Sequence, residues 1–256
     1  MKKCPPFALL AAMLLLASGG IARADSLQVA VAANFTAAFK QLAPLFEQQT
    51  GHRLIPSFGA TGQLYAQIRH GAPFDVFLAA DDEAPGKLLE SGDALANPPV
   101  VYARGRLVLW SATAGMVDDR GAVLRHGDFA RLAIANPKTA PYGRAAIDTL
   151  DALGLVDQLR PRFVQGESIA QTFQFAASGN AALGFVALGQ VMTLPPAGRG
   201  SHWLVPADLH RPIDQAAVVL RRAKNPRAGQ ALLDFLTSPD AALIIQGLGY
   251  ETPALP

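Results

Sequence analysis

The stretch Leu27-Gln28-Val29-Ala30-Val31-Ala32-Ala33-Asn34-Phe35-Thr36-Ala37-Ala38-Phe39 changes its hydrophobic period partway along. Leu27 to Ala32 is an apolar run of strand length. Beyond it, Phe35, Phe39, Leu42 and Phe46 recur at helical spacing, a stripe suited to packing on a sheet. A strand therefore runs through a short polar turn directly into a helix. Pro44 falls inside that helix and is expected to kink or split it.

The same order recurs downstream. Apolar runs at Arg53–Ser57, Asp75–Ala79, Arg106–Trp110, Leu132–Ala135 and Leu183–Ala187 are separated by helical patterns, which predicts an α/β protein with mainly parallel sheets flanked by helices. Ala103-Arg104-Gly105-Arg106 interrupts two β-rich runs, and another such run, Asp214–Arg221, follows His210-Arg211-Pro212. Two crossings of this kind divide the chain into one lobe of residues 25–103 plus 212–256 and a second of residues 104–211. A cleft with a hinge lies between them. Asn225-Pro226 and Ser238-Pro239 each read as an N-cap followed by proline at the first helical position, opening two structural C-terminal helices.

Residues 1–24 read as an address. Lys2 and Lys3 precede an apolar run from Phe7 to Ala17, too short for a bilayer span, and Ala22-Arg23-Ala24 offers a small-residue cleavage site. Cys4 is the single cysteine and lies inside this signal, so the mature chain has no disulfide, catalytic thiol or cysteine metal site. Losing Lys2, Lys3 and Arg23 takes the 22 basic residues to 19 against 20 acidic ones. A basic face for nucleic acid is then not expected.

Four strand-to-helix turns stand out: Ala33-Asn34-Phe35-Thr36, Gly59-Ala60-Thr61-Gly62, Ala140-Pro141-Tyr142-Gly143 and Glu167-Ser168-Ile169-Ala170. Taken singly, Asn34, Thr61 and Ser168 are residue types that cap any helix. Together they sit where α/β proteins gather ligands, two on each lobe. Each helix start presents unpaired backbone N–H groups and about +0.5 of an elementary charge, so converging starts make an uncharged anion trap. Tyr142 caps poorly, but its backbone N–H and phenolic O–H are both donors.

Catalytic patterns are missing. There is no Gly-x-Ser-x-Gly elbow, His-Glu-x-x-His helix or nucleotide-binding glycine loop, and His52, His70, His126, His202 and His210 lack ligand spacing. Asp81-Asp82-Glu83 offers carboxylates for a cation but reads more simply as a solvated helix start. Arg104, Arg106 and Arg144 lie near the cleft yet outside the four turns, which disfavours a carboxylate ligand gripped by arginine.

Val31-Ala32-Ala33-Asn34-Phe35-Thr36, Ser57-Phe58-Gly59-Ala60-Thr61-Gly62, Gly71-Ala72-Pro73-Phe74-Asp75-Val76-Phe77, Asn136-Pro137-Lys138-Thr139-Ala140-Pro141-Tyr142-Gly143 and Ala177-Ser178-Gly179-Asn180 through Val186 resemble, in order, the periplasmic molybdate-binding proteins of ABC transporters. The resemblance implies the two-lobed periplasmic-binding-protein fold, a monomer that passes molybdate or tungstate to a membrane permease, and no enzyme activity or cofactor. It implies anion contacts from Asn34 and Thr61 through side chain and backbone, and from the backbone N–H groups of Tyr142 and Ile169, with Ala33 and Ser168 supporting. The metal is held through its own oxygens.

Two departures stand against that pattern. Asn34 and Thr61 occupy positions where many members have serine, and Ala187 stands where many have a tyrosine whose hydroxyl touches the anion. The Tyr142 hydroxyl is the candidate replacement. A donor-only pocket suits molybdate, tungstate or sulfate over protonated phosphate. Another oxyanion such as sulfate, a secreted hydrolase and a sensor domain of the same fold are the competing readings.

Overall fold

The computed structural model describes residues 26–126 and 128–253, so the export signal at residues 1–24 lies outside the described residues. The chain begins with β1 (Ser26–Ala32), α1 (Thr36–Thr50), β2 (Arg53–Gly59), α2 (Thr61–Arg69), β3 (Val76–Leu78), α3 (Glu83–Glu90) and β4 (Val100–Gly105). It then forms β5 (Leu107–Ser111), α4 (Val123–His126), β6 (Leu132–Ala135), α5 (Pro141–Ala152), α6 (Val156–Leu159), β7 (Phe163–Gly166), α7 (Ile169–Ala177), β8 (Leu183–Ala187), α8 (Leu188–Met192) and β9 (Ser201–Leu204). It ends with β10 (Ile213–Val219), α9 (Pro226–Leu236) and α10 (Pro239–Gly247).

These strands make two sheets of one design, β2-β1-β3-β10-β4 and β7-β6-β8-β5-β9. In the first, β1 pairs parallel with β2 and β3 while β10 runs antiparallel to β3 and β4. In the second, β6 pairs parallel with β7 and β8 while β5 runs antiparallel to β8 and β9. The reversed strand in each sheet, β10 or β5, is the one entered from the other lobe. The chain crosses between β4 and β5 and again between β9 and β10. The segment after α10 returns to the first crossing, where Arg104 and Glu251 exchange backbone hydrogen bonds at 2.7 and 3.0 Å.

Helices cover both faces of the first sheet. Phe35, Phe39, Leu42 and Phe46 are buried with Leu232, Leu236 and Ile245 against one face, and Leu64, Phe74 and Leu88 against the other. Each such side chain contributes about 1.5–3 kcal/mol when fully buried. Asn225 and Ser238 cap α9 and α10 as expected, accepting from the N–H groups of Ala228 and Ala241.

Two expectations need correcting. Pro44 lies inside α1 without splitting it. It is exposed, so water can serve the carbonyl that loses its helical donor. Strands β7 and β9 were not foreseen. They form the edges of the second sheet and, Trp203 apart, carry exposed or half-buried side chains, so neither shows an apolar run. Among the described residues no helix is long and apolar enough to cross a membrane.

Candidate functional site

β1 and β6 each have a strand on either side that follows them in sequence, and at such a switch point the segments leaving the strand's carboxyl end diverge to opposite faces and open a crevice. The turn after β1 carries Asn34, and the turn after β6 leads to Tyr142. The turns after β2 and β7 stand beside them, and all four meet between the lobes. Ala32, Ala33, Asn34, Gly59, Ala60, Thr61, Ala80, Ala140, Pro141, Tyr142 and Ile169 line one small cavity. Of the sequence-predicted residues, Asn34, Thr61, Tyr142, Ile169 and Ala33 are thus brought together.

No charged side chain lines this cavity. Its polarity comes from Asn34, Thr61, Tyr142 and the main chain. Thr61 and Ile169 are the first residues of α2 and α7, and Tyr142 is the second of α5, so their N–H groups have no acceptor within their own helices. Pro141 brings no N–H, which makes Tyr142 the first donor of α5. Asn34 is the middle residue of a single 3-10 turn, Ala33–Phe35, leading into α1.

The side chains are placed differently from simple caps. Asn34 and Thr61 cap nothing. The Asn34 amide donates to Gln215 Oε1 at 2.8 Å and approaches Tyr250 Oη at 3.4 Å, and its backbone carbonyl accepts from Tyr250 Oη at 2.7 Å. Thr61 Oγ1 accepts from the Ala80 N–H at 3.0 Å, which leaves its own proton to donate. Ser168 is outside the cavity lining and serves as the N-cap of α7, accepting from Gln171 N–H at 3.3 Å.

Tyr142 is 1% exposed. A Cβ built on Gly105 would lie 2.1 Å from the Tyr142 hydroxyl, so the ring reaches across to the first crossing, and only glycine fits beneath it. Burial pushes the phenols of Tyr142 and Tyr102 well above their ordinary value, with neighbouring phenols adding to the effect. Both therefore stay protonated at neutral pH. Ala187 is fully buried and also absent from the lining. Its N–H donates to Gln190 Oε1, and Gln190 Nε2 donates to the Ile169 carbonyl, tying the end of β8 to the start of α7.

The lobes touch around the cavity. Gly62 N–H donates to the Thr139 carbonyl at 2.8 Å, and Arg144 Nη2 meets Asp81 Oδ2 at 2.6 Å. The room left inside is ≈ 10 Å³ for the centre of a water-sized sphere. That is about one water's worth. Asp82 and Glu83 are exposed at the start of α3, as expected of a solvated helix start, whereas Asp81 is bound to an arginine of the facing lobe and its Oδ1 accepts from Ala84 N–H. Arg104 pairs with Asp214 and Arg106 with Glu251. Among the described residues no group of three His, Cys, Asp or Glu side chains is arranged to hold a metal ion.

Sequence reasoning missed Gln215, Tyr102, Tyr250 and Ala80. One signal was available for Gln215, an amide inside the apolar run Ile213–Val219. Tyr102, Tyr250 and Ala80 carry no local mark.

A sequence-family profile described as bacterial extracellular solute-binding protein matches residues 27–251. The molybdate-binding protein ModA of Azotobacter vinelandii is 54% identical over 229 residues, 90% of this chain and 91% of that protein. ModA of Rhodobacter capsulatus is 48% identical over 231 residues, 90% of each chain. In three dimensions, the Azotobacter vinelandii periplasmic molybdate-binding protein superposes with a TM-score of 0.85 at 42% identity, covering 89% of this chain and 99% of that one. The sulfate-binding protein SubI from Mycobacterium tuberculosis H37Rv, at 15% identity and a TM-score of 0.72, shares the fold. The chain belongs to the bacterial extracellular solute-binding protein family.

Proposed function

We propose that the mature chain is a soluble periplasmic monomer that captures molybdate, and tungstate with it, and delivers the anion unchanged to the permease of an ABC transporter. The observation that carries this reading is the convergence of four helix starts, two from each lobe, on one uncharged cavity whose hydrogen-bonding groups are mostly donors. The high identity to molybdate-binding relatives supports the same choice of anion.

Asn34 and Thr61 hold the anion from the first lobe, with Ala33 beside them. Tyr142 and Ile169 close from the second lobe with backbone N–H groups, and Ser168 keeps the start of α7 in place. These groups grip the oxygens that already surround the metal, so the function needs no protein–metal bond, cofactor or general base. The turns sit on lobes joined by two crossings, and closure is a population shift toward the arrangement in which both sets of donors reach the same oxygens.

Micromolar to nanomolar binding, about 8–12 kcal/mol, falls inside the wide span left when roughly 4–15 kcal/mol for association and ordering is set against about five to seven charge-assisted hydrogen bonds at about 1.5–3 kcal/mol each. Thermal unfolding of the mature protein with each oxyanion in turn tests the reading. Molybdate and tungstate should raise the Tm in a concentration-dependent way, and a protein stabilised by neither would refute it.

A further inference from the structure

Gln215 lies at 0% exposure in β10. Its Nε2 has no partner among the described residues, and its amide is held through the oxygen, since buried polar groups are usually hydrogen-bonded. Its Oε1 accepts from Asn34 Nδ2 at 2.8 Å and lies 3.4 Å from Tyr102 Oη. Tyr102 is delivered there by an irregularity in the sheet. Gln215 is opposite Ala103 and Ala216 is opposite Val101, so Tyr102 is the extra residue of a β-bulge, a device that re-aims side chains. Its hydroxyl also donates to the Ala79 carbonyl at 3.0 Å, next to Ala80, whose N–H holds Thr61.

These residues belong to the first lobe and to the segment after α10. The contact between Gln215 and Asn34 therefore exists whether the cleft is open or shut. Gln215 does not line the cavity, and anything it does to a ligand passes through Asn34.

An asparagine side chain carries a donor at one end of its amide and an acceptor at the other. Gln215 Oε1 takes one of the two Asn34 Nδ2 protons at 2.8 Å, and Tyr250 Oη stands 3.4 Å away as a neighbour of the other. That second proton is the one a dianion can claim, while Oδ1, which has no partner among the described residues, would repel it. We infer that Gln215 is a positioning residue for the oxyanion site, a neighbour that fixes the plane of the Asn34 amide before the anion arrives. This rests on the oxyanion reading above. Preorganisation of this kind raises affinity by removing an ordering cost from the binding step.

Gln215→Met keeps the length and volume of the side chain and removes both polar ends. Calorimetric titration with molybdate is expected to show about a tenfold or larger loss of affinity for Gln215→Met, roughly one charge-assisted hydrogen bond. Asn34→Ala should lose at least as much, and the double variant should be no weaker than Asn34→Ala alone, because Gln215 acts through Asn34. Wild-type affinity in Gln215→Met, or losses that add in the double variant, would overturn the inference while leaving the oxyanion reading intact. A wild-type chain that binds no molybdate would overturn both.

Should Gln215→Met fail to fold, the ligand-free wild type decides. In a ¹⁵N-labelled sample the Asn34 side-chain amide should exchange slowly with solvent, and fast exchange of both its protons would contradict the inference.

Discussion

The backbone N–H of Gly62 donates to the carbonyl of Thr139 across the cleft at 2.8 Å, joining the lobes through main-chain atoms beside the cavity. A Cβ on Gly62 would stand 2.9 Å from Thr139 Cα. Both partners are backbone, so neither can swing aside. Gly62→Ala should therefore obstruct closure while sparing the open protein. We expect molybdate affinity to fall ~10-fold or more, about 1.4 kcal/mol, with little change in the Tm of the ligand-free chain. Isothermal titration and a melting curve on the same sample check both halves.

Arg144 and Asp81 form a second inter-lobe tie at 2.6 Å, with their side chains 28% and 13% exposed. Partial burial shields the pair from salt but leaves its net worth near ~1 kcal/mol. Arg144→Gln should speed anion release roughly three- to tenfold, with a smaller effect on capture. Stopped-flow measurement of release tests this, and an unchanged release rate would remove the pair from the closing machinery.

Thr61 has two duties. Its oxygen accepts from Ala80 N–H, and in the proposed site its proton is left for the anion. Thr61→Ser retains both and should bind within about threefold of the parent chain, a few tenths of a kcal/mol. Thr61→Val loses both. It should weaken binding ~10–100-fold and also lower stability by about 1–2 kcal/mol, because the Ala80 N–H is left buried without a partner. Titration and urea unfolding of the two variants separate these contributions.

The Tyr142 hydroxyl lies against Gly105 and is buried, with the Asn34 side chain as its hydrogen-bonding neighbour. Tyr142→Phe removes the hydroxyl and keeps the ring and the backbone donor, so the Tm of the ligand-free chain should move by no more than about 4 °C, on the order of 1 kcal/mol for a chain of this size. If the backbone N–H alone serves the anion, affinity stays within about threefold. A loss of tenfold or more would instead assign the hydroxyl to the anion, as the substitution at the Ala187 position suggested.

Much of this was legible in the sequence because a strand buried on both faces leaves a continuous apolar run. β1, β6 and β8 show such runs, and Asn34 and Tyr142 follow two of them at helix starts. Edge strands such as β7 and β9 leave no such mark. The long-range polar contacts were also invisible. Asn34 and Gln215 are 181 positions apart, and Asp81 and Arg144 are separated by 63. Periodicity reports which face of an element is buried, and says nothing of which polar groups meet once lobes and sheets assemble.

The proposed site holds a large, fully ionised tetrahedral oxyanion by donors alone. Isothermal titration of the mature protein with molybdate, tungstate, sulfate and phosphate tests it most directly. Molybdate and tungstate should bind alike, at micromolar Kd or tighter, with sulfate at least ~100-fold weaker, about 2.7 kcal/mol, because a smaller anion leaves donors stretched, and phosphate weaker still. Sulfate binding as tightly as molybdate, or more so, would rule out a pocket matched to the larger oxyanion.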